Sequence, residues 1–144
     1  MHPNQEQFSQ EFPKFQLKIN NFILNQNFTQ KTKEYTEMFN QMASISPDDM
    51  KEYAQKSPAF LKARNESLEL MERIVAIHLE LQELFKMDEE SLGKAYEHNL
   101  NAVDEKIAAK LKEAATLLHH FNIASEKGRK AIERADNPFL DQGE

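Results

Sequence analysis

The chain of 144 residues has no cysteine, no tryptophan, three glycines and five prolines. Each shortage excludes something. Without cysteine there is no disulfide, no thiolate zinc site and no Cys nucleophile, and the composition fits a reducing compartment. With so few glycines and prolines, turns are scarce, and long helices are the natural use of the chain. The glycines are too few for a phosphate-cradling loop of the usual sort. Long apolar runs are absent too. The longest, Ile74-Val75-Ala76-Ile77, is far short of the ~20 residues that span a bilayer. The opening residues Met1 to Gln7 carry neither a basic region nor an apolar core, so they do not read as a Sec-type signal. The expectation is a cytoplasmic protein, or one exported without a cleaved signal peptide.

What is present is 40% hydrophobic and 29% charged residues, with a net charge of −6. That apolar share suffices for a core in one domain of ordinary size. Nucleic-acid binding normally needs a basic face, and 24 acids against 18 bases argue for no nucleic-acid partner. The charge is uneven. Residues 1–45 hold four bases and four acids, residues 46–90 hold six and eleven, and residues 91–144 hold eight and nine.

Six of the ten phenylalanines lie before residue 40: Phe8, Phe12, Phe15, Phe22, Phe28 and Phe39. Phe8, Phe12, Phe15, Ile19 and Phe22 step by 4, 3, 4 and 3, one face of a helix. Pro13 breaks the ladder of amides. The pattern therefore predicts a loosely ordered segment over 1–12 and a first helix from about Pro13 to Ala43, with a bend at Asn25-Gln26-Asn27. Ser46-Pro47-Asp48-Asp49 predicts a helix start: hydroxyl cap, proline at the first turn, acids at the positive end of the dipole. Ser57-Pro58 repeats the device and opens a helix over about 58–87. Its apolar residues form two rows, one through Phe60, Ala63, Leu70, Ile74, Ile77, Leu81 and Leu84, the other through Leu61, Leu68, Met71, Val75 and Phe85. Asp88 caps a fourth helix that carries Leu92, Tyr96, Leu100, Val103, Ile107, Leu111, Ala114, Leu118 and Phe121, with a break expected near Asn122. A polar helical stretch with Lys127, Arg129, Lys130 and Arg134 follows, ended by Asn137-Pro138. The fold expected is all-α: an elongated antiparallel bundle of about four helices over 13–135, dimeric, with a flexible tail over 136–144.

No catalytic, cofactor-binding or metal-binding set can be read from the spacing. The residues three before His78, His98, His119 and His120 are Val75, Ala95, Thr116 and Leu117, so the Glu-x-x-His of di-iron bundles is missing. His-Glu-x-x-His, the phosphate loop and Gly-x-Ser-x-Gly are missing as well. His119 and His120 are adjacent, so they point ~100° apart on a helix and make a poor metal pair. His78 falls among Ile74, Val75 and Leu81 and reads as a hydrogen-bonded core histidine.

Three surfaces remain as candidates. The Phe-rich face, Phe8, Phe12, Phe15, Ile19, Phe22 and Phe28, is core, a self-association or partner interface, or a lipid or storage-granule surface, since aromatics and Met are enriched at interfaces. Its polar side holds Gln16, Asn20, Asn21, Asn25 and Gln26 with only Lys14 and Lys18, which argues against binding to anionic membranes. Glu66, Glu69, Glu72, Glu80 and Glu83 form an acidic rim that is either a solvated face or a steering surface for a basic partner. Asn137, Pro138 and Phe139 match a short tail peptide recognised by eukaryotic EH domains; Asn-Pro turns project the ring. Small, cysteine-free amphipathic helices are loosely similar in general plan to the granule-coating phasins, without a shared motif. The expected function is a non-enzymatic protein–protein interaction module, a regulator, adaptor, chaperone-like or inhibitory subunit, acting as a homodimer through the Phe-rich face and its acidic rim. The alternatives are a coat or scaffold on an apolar lipid or storage-granule surface, and a helical enzyme or metal protein whose site is not visible in the sequence.

Overall fold

The computed structural model describes residues 3–136, and among them the chain is all-helical, with no strand. Six helices follow in order: α1 (Pro3–Gln26), α2 (Phe28–Ala43), α3 (Pro47–Lys56), α4 (Pro58–Lys86), α5 (Glu89–Ala95) and α6 (Leu100–Asp136).

Local chemistry accounts for the starts. Ser46 Oγ accepts from Asp49 N at 3.2 Å and Ser57 Oγ accepts from Phe60 N at 3.1 Å, each satisfying an amide that has no partner in the first turn. Pro47 and Pro58 follow as first helical residues, where their missing N–H costs nothing. Asp88 Oδ1 accepts from Ser91 N at 2.7 Å, and this bond holds its carboxyl below the usual carboxylate range. Asn99 Oδ1 accepts from Asn101 N at 3.1 Å and from Ala102 N at 3.3 Å, opening α6.

Four boundaries differ from the sequence-based expectation. The first helix begins at Pro3, not near Pro13, so residues 3–12 are helical. Pro13 and Ser9 are exposed, so the Ser9 carbonyl that loses its donor lies on the solvent side, where it is open to hydration. The chain breaks at Asn27, which has φ 49°. Asparagine tolerates this left-handed geometry better than most residues, and the bend expected at Asn25–Asn27 is a full stop between α1 and α2. Conversely, α6 runs through Asn122 without a break, while Tyr96-Glu97-His98-Asn99, expected inside a helix, is a turn with positive φ at Glu97 and His98. There His98 N donates to Gly93 O at 2.8 Å and Asn99 N donates to Tyr96 O at 3.0 Å.

The chain divides into two compact units. The first comprises residues 1–34 and 76–114. Its core is aromatic and aliphatic: Phe8, Phe12, Ile19, Phe28, Ile77, Leu81, Leu84, Leu92, Val103 and Ile107 are buried. Phe8 stacks tilted on Phe12 at 5.8 Å and meets the His98 ring edge-on at 5.4 Å. Gly93 makes room for this contact. A Cβ on it would sit 2.7 Å from His98 Cδ2. Phe22, Phe28 and Phe85 form a second group, with centroids 5.4 to 6.1 Å apart. Off-parallel rings at such distances are the favoured aromatic geometry.

The second unit comprises residues 35–75 and 115–144. Its core is built from smaller residues. Ala63, Ser67, Ala124 and Gly128 are buried beside Met71, Ile74, Leu117 and Phe121. A Cβ on Gly128 would touch Ala63 Cβ at 3.4 Å, so α4 and α6 approach closely here because neither side chain holds them apart. Arg64 Nη2 donates to Met42 O at 2.7 Å. It thereby satisfies a carbonyl in the last turn of α2 and places a cation at the negative end of that helix.

Candidate functional site

In the first unit, four members of the expected docking stripe are turned inward. Phe8, Phe12, Ile19 and Phe28 are buried, Phe8 being only 2% exposed. Phe15 and Phe22 are half-buried, Phe15 beside Phe12 at 6.4 Å and Phe22 against Phe28 and Phe85. The four buried members are core material of their own unit, for a simple reason. Burying each ring contributes roughly 1.5–3 kcal/mol, and α5 and the adjoining ends of α4 and α6 supply apolar partners within the chain.

The outward face of α1 carries apolar surface instead. Leu17 is 61% exposed and Leu24 73% exposed, one heptad apart, with Asn20 and Asn21 between them. No charge lies on the line joining the two leucines.

His78 is buried in the same unit. Its ring stacks on Phe28, with centroids 5.0 Å apart and planes 14° apart, and Nδ1 lies 3.4 Å from Thr32 Oγ1. Thr32 Oγ1 donates its own proton to Phe28 O at 3.0 Å, so the hydroxyl oxygen is left to accept from the Nδ1–H tautomer. Burial and the nearby Lys31 charge both push the imidazole below its ordinary value.

The acidic rim is divided among different jobs. In the first unit, Glu80 pairs with Lys106 at 3.2 Å and Lys110 at 3.3 Å. The Lys106 hydrogen bond is the main reason its carboxyl lies below the usual range. Lys106 also lies 5.8 Å from the Tyr96 ring centroid. Glu83 is exposed. In the second unit, Glu69 and Glu72 are exposed, and Glu66 lines a groove. His119 and His120 are both exposed, with ring centroids 5.8 Å apart. Among the described residues no group of three His, Cys, Asp or Glu is placed to hold a metal ion, and no helix is long and apolar enough to cross a membrane. Asn137, Pro138 and Phe139 lie outside the described residues.

The groove is the feature that the sequence did not announce. It lies in the second unit, between the first turns of α4 and the last turns of α6, with a volume of about 520 Å³. Pro58, Ala59, Lys62, Ala63 and Glu66 line it from α4, and Lys127, Lys130, Ala131, Arg134 and Ala135 line it from α6. Lys56 and Ser57 close the end at the start of α4. Each set is one helical face, spaced 3 and 4. The floor is proline and alanine. Among the described residues the edges hold five bases and one acid, in a chain whose net charge is −6. Lys56 also meets Glu52 at 3.7 Å. The polar run at 127–134 hinted at one wall, but nothing in the spacing showed that Lys56 and Lys62 would face it across sixty residues of chain.

No family model, curated protein or solved structure matches this chain.

Proposed function

We propose that the chain is a non-enzymatic protein-interaction module, and that it holds a partner in the groove between the start of α4 and the end of α6 in the second unit. The observation that carries this reading is an open, small-residue floor lined by Pro58, Ala59, Ala63, Ala131 and Ala135. Alanine and proline leave room for another chain to approach the two helices, and a groove between helices is a common place for a partner's apolar side chains. The Phe-rich face is then the scaffold that holds the first unit together, and the contact-making role passes to a different surface.

The test is a photo-reactive amino acid placed at Ala131, in the groove, and separately at Glu113, in the first unit. Irradiation in extract of the native source is expected to give discrete protein adducts from position 131 and none from position 113. Equal adduct patterns at both positions, or none at either, would reject the groove as the docking site.

A second reading rests on Leu17 and Leu24. Their heptad spacing on the outward face of α1, with Asn21 between them, suits a short seam against the same helix of a second copy, since leucine with a single seam asparagine favours a parallel pair. This reading makes the protein a homodimer.

A further inference from the structure

We infer that the groove of the second unit takes an acidic, amphipathic segment of a partner protein, its carboxylates on the basic edges and its apolar side chains on the alanine floor. This deepens the docking site proposed above and rests on it. Three observations specify the partner's chemistry.

The first is charge. Among the described residues, Lys56, Lys62, Lys127, Lys130 and Arg134 surround a space that contains one carboxylate, Glu66. Like charges brought this close on two neighbouring helices repel one another, and that repulsion is relieved by an anion. Among the described residues Lys62 and Lys127 make no ion pair within the chain, and Lys130 acts on Glu126 only through space, without a close ion pair. The first turn of α4, whose dipole end is positive, opens at the same place.

The second is size. From Lys127 to Ala135 the groove follows α6 for about 12 Å, at 1.5 Å per residue. That length matches about two turns of a helical ligand. Lys62, Lys127 and Lys130, spread over it, exceed what a single small carboxylate or phosphate could meet, so the charges of the ligand must be repeated along a chain.

The third is the floor. A nucleic acid would satisfy the charge, but single strands are held by aromatic side chains on which the bases stack, and among the described residues no aromatic lines this groove. The net charge of −6 further opposes a polyanion that extends past the groove, whereas a short acidic segment feels mainly the local cations. An alanine and proline floor suits leucine-like side chains.

The probe is a fluorescently labelled 12-residue peptide with leucine at helical 3- and 4-residue spacing and glutamate elsewhere, titrated with the full chain by anisotropy. Three comparison probes accompany it: glutamate replaced by lysine, leucine replaced by serine, and a 12-nucleotide oligo-thymidine. Saturable binding of the Glu/Leu peptide is expected, weaker by about tenfold in the Lys62→Glu/Lys127→Glu/Lys130→Glu variant and weakened by added salt. A charge-matched Lys14→Glu/Lys33→Glu/Lys86→Glu variant, altered at exposed positions in other places, is expected to bind within about threefold of the parent, since distant exposed charges are screened. Circular dichroism checks that each variant folds. If the groove variant does not, the milder Lys→Gln triple replaces it, with a several-fold loss expected.

No binding of the Glu/Leu peptide up to about 1 mM, equal affinity for any of the three comparison probes, or equal losses in the two charge variants would overturn the inference. So would tighter probe binding by the full chain carrying Asp141→Asn/Glu144→Gln, which would make residues 137–144 the occupant. Self-association of the parent that the groove variant abolishes would make the occupant a second copy, and would overturn it as well. A groove-specific photo-adduct together with failure of the peptide would leave the docking site standing and remove only the acidic chemistry.

Discussion

At the scale of one residue, the surroundings of His78 tie stability to pH. The ring is buried, stacked on Phe28 and in contact with Thr32. Protonation would place a charge in a desolvated position near Lys31, so the folded-state pKa lies below the ordinary value of about 6.5. The sign follows from proton counting. Between the lowered folded value and 6.5 the unfolded chain binds more protons, so stability rises with pH there. The stabilising effect is fully present above about pH 6.5 and is lost as pH falls through the folded value. Thermal unfolding measured from pH 7.5 down to pH 5 is therefore expected to show a falling midpoint in the parent chain. His78→Phe keeps a ring on Phe28 but removes the titration, and its midpoint should fall less over the same range. Parallel curves for the two proteins would show that His78 is not the group responsible.

At the scale of the helices, the two units use different means to bring elements together. The first fills space with rings, and the second removes side chains. Gly93 and Gly128 both lie within helices, where glycine is destabilising by roughly 0.5–1 kcal/mol relative to alanine. Their surroundings predict different outcomes on substitution. At Gly128 an added methyl would meet Ala63 at an ordinary contact distance of 3.4 Å. Gly128→Ala is expected to raise stability by about 0.5–1 kcal/mol, seen as a higher denaturation midpoint in urea. At Gly93 the methyl would press on the His98 ring at 2.7 Å, and His98 is itself held by Phe8. There the gain in helix propensity is offset by displacement of that ring, and Gly93→Ala should not stabilise. A loss of stability in Gly128→Ala would mean that α4 and α6 have no slack at that contact.

Most of this level was legible in the residues. Ser46-Pro47, Ser57-Pro58 and Asp88 each mark a start because cap and proline chemistry act within a few residues of chain. The turn at Tyr96–Asn99 was not legible. Tyr96 and Leu100 keep the apolar spacing of a helix across it, and the interactions that stop α5 depend on Gly93 and His98 meeting Phe8 from another helix. The start of α1 was misplaced for a related reason. Pro13 looks like a helix opener by its backbone chemistry, yet an exposed proline is tolerated within α1 when Phe8 and Phe12 are both anchored in the core.

At the scale of the whole molecule, the open question is how much apolar surface is left for others. Leu17 and Leu24 are the largest apolar side chains standing in solvent on α1. If they form a seam between copies, light scattering should give a mass near twice 16.8 kDa at high concentration, and Leu17→Glu/Leu24→Glu should return it to the monomer value without unfolding the chain. A constant monomer mass in the parent would remove the homodimer reading and leave the groove reading untouched, because the two rest on different units.

The sequence by itself determined that the described residues are all-helical and where most of the helices start, because capping, proline geometry and helical periodicity are short-range and need no knowledge of the rest of the chain. Only the tertiary structure decided which apolar faces are spent on the core and which cations end up opposite one another. Phe8 and Phe15 share one face in the sequence, and packing within the first unit buries Phe8 while leaving Phe15 half-exposed. Lys62 and Lys127 are far apart in the chain, and only the close approach of α4 and α6 at Ala63 and Gly128 makes them two edges of one groove.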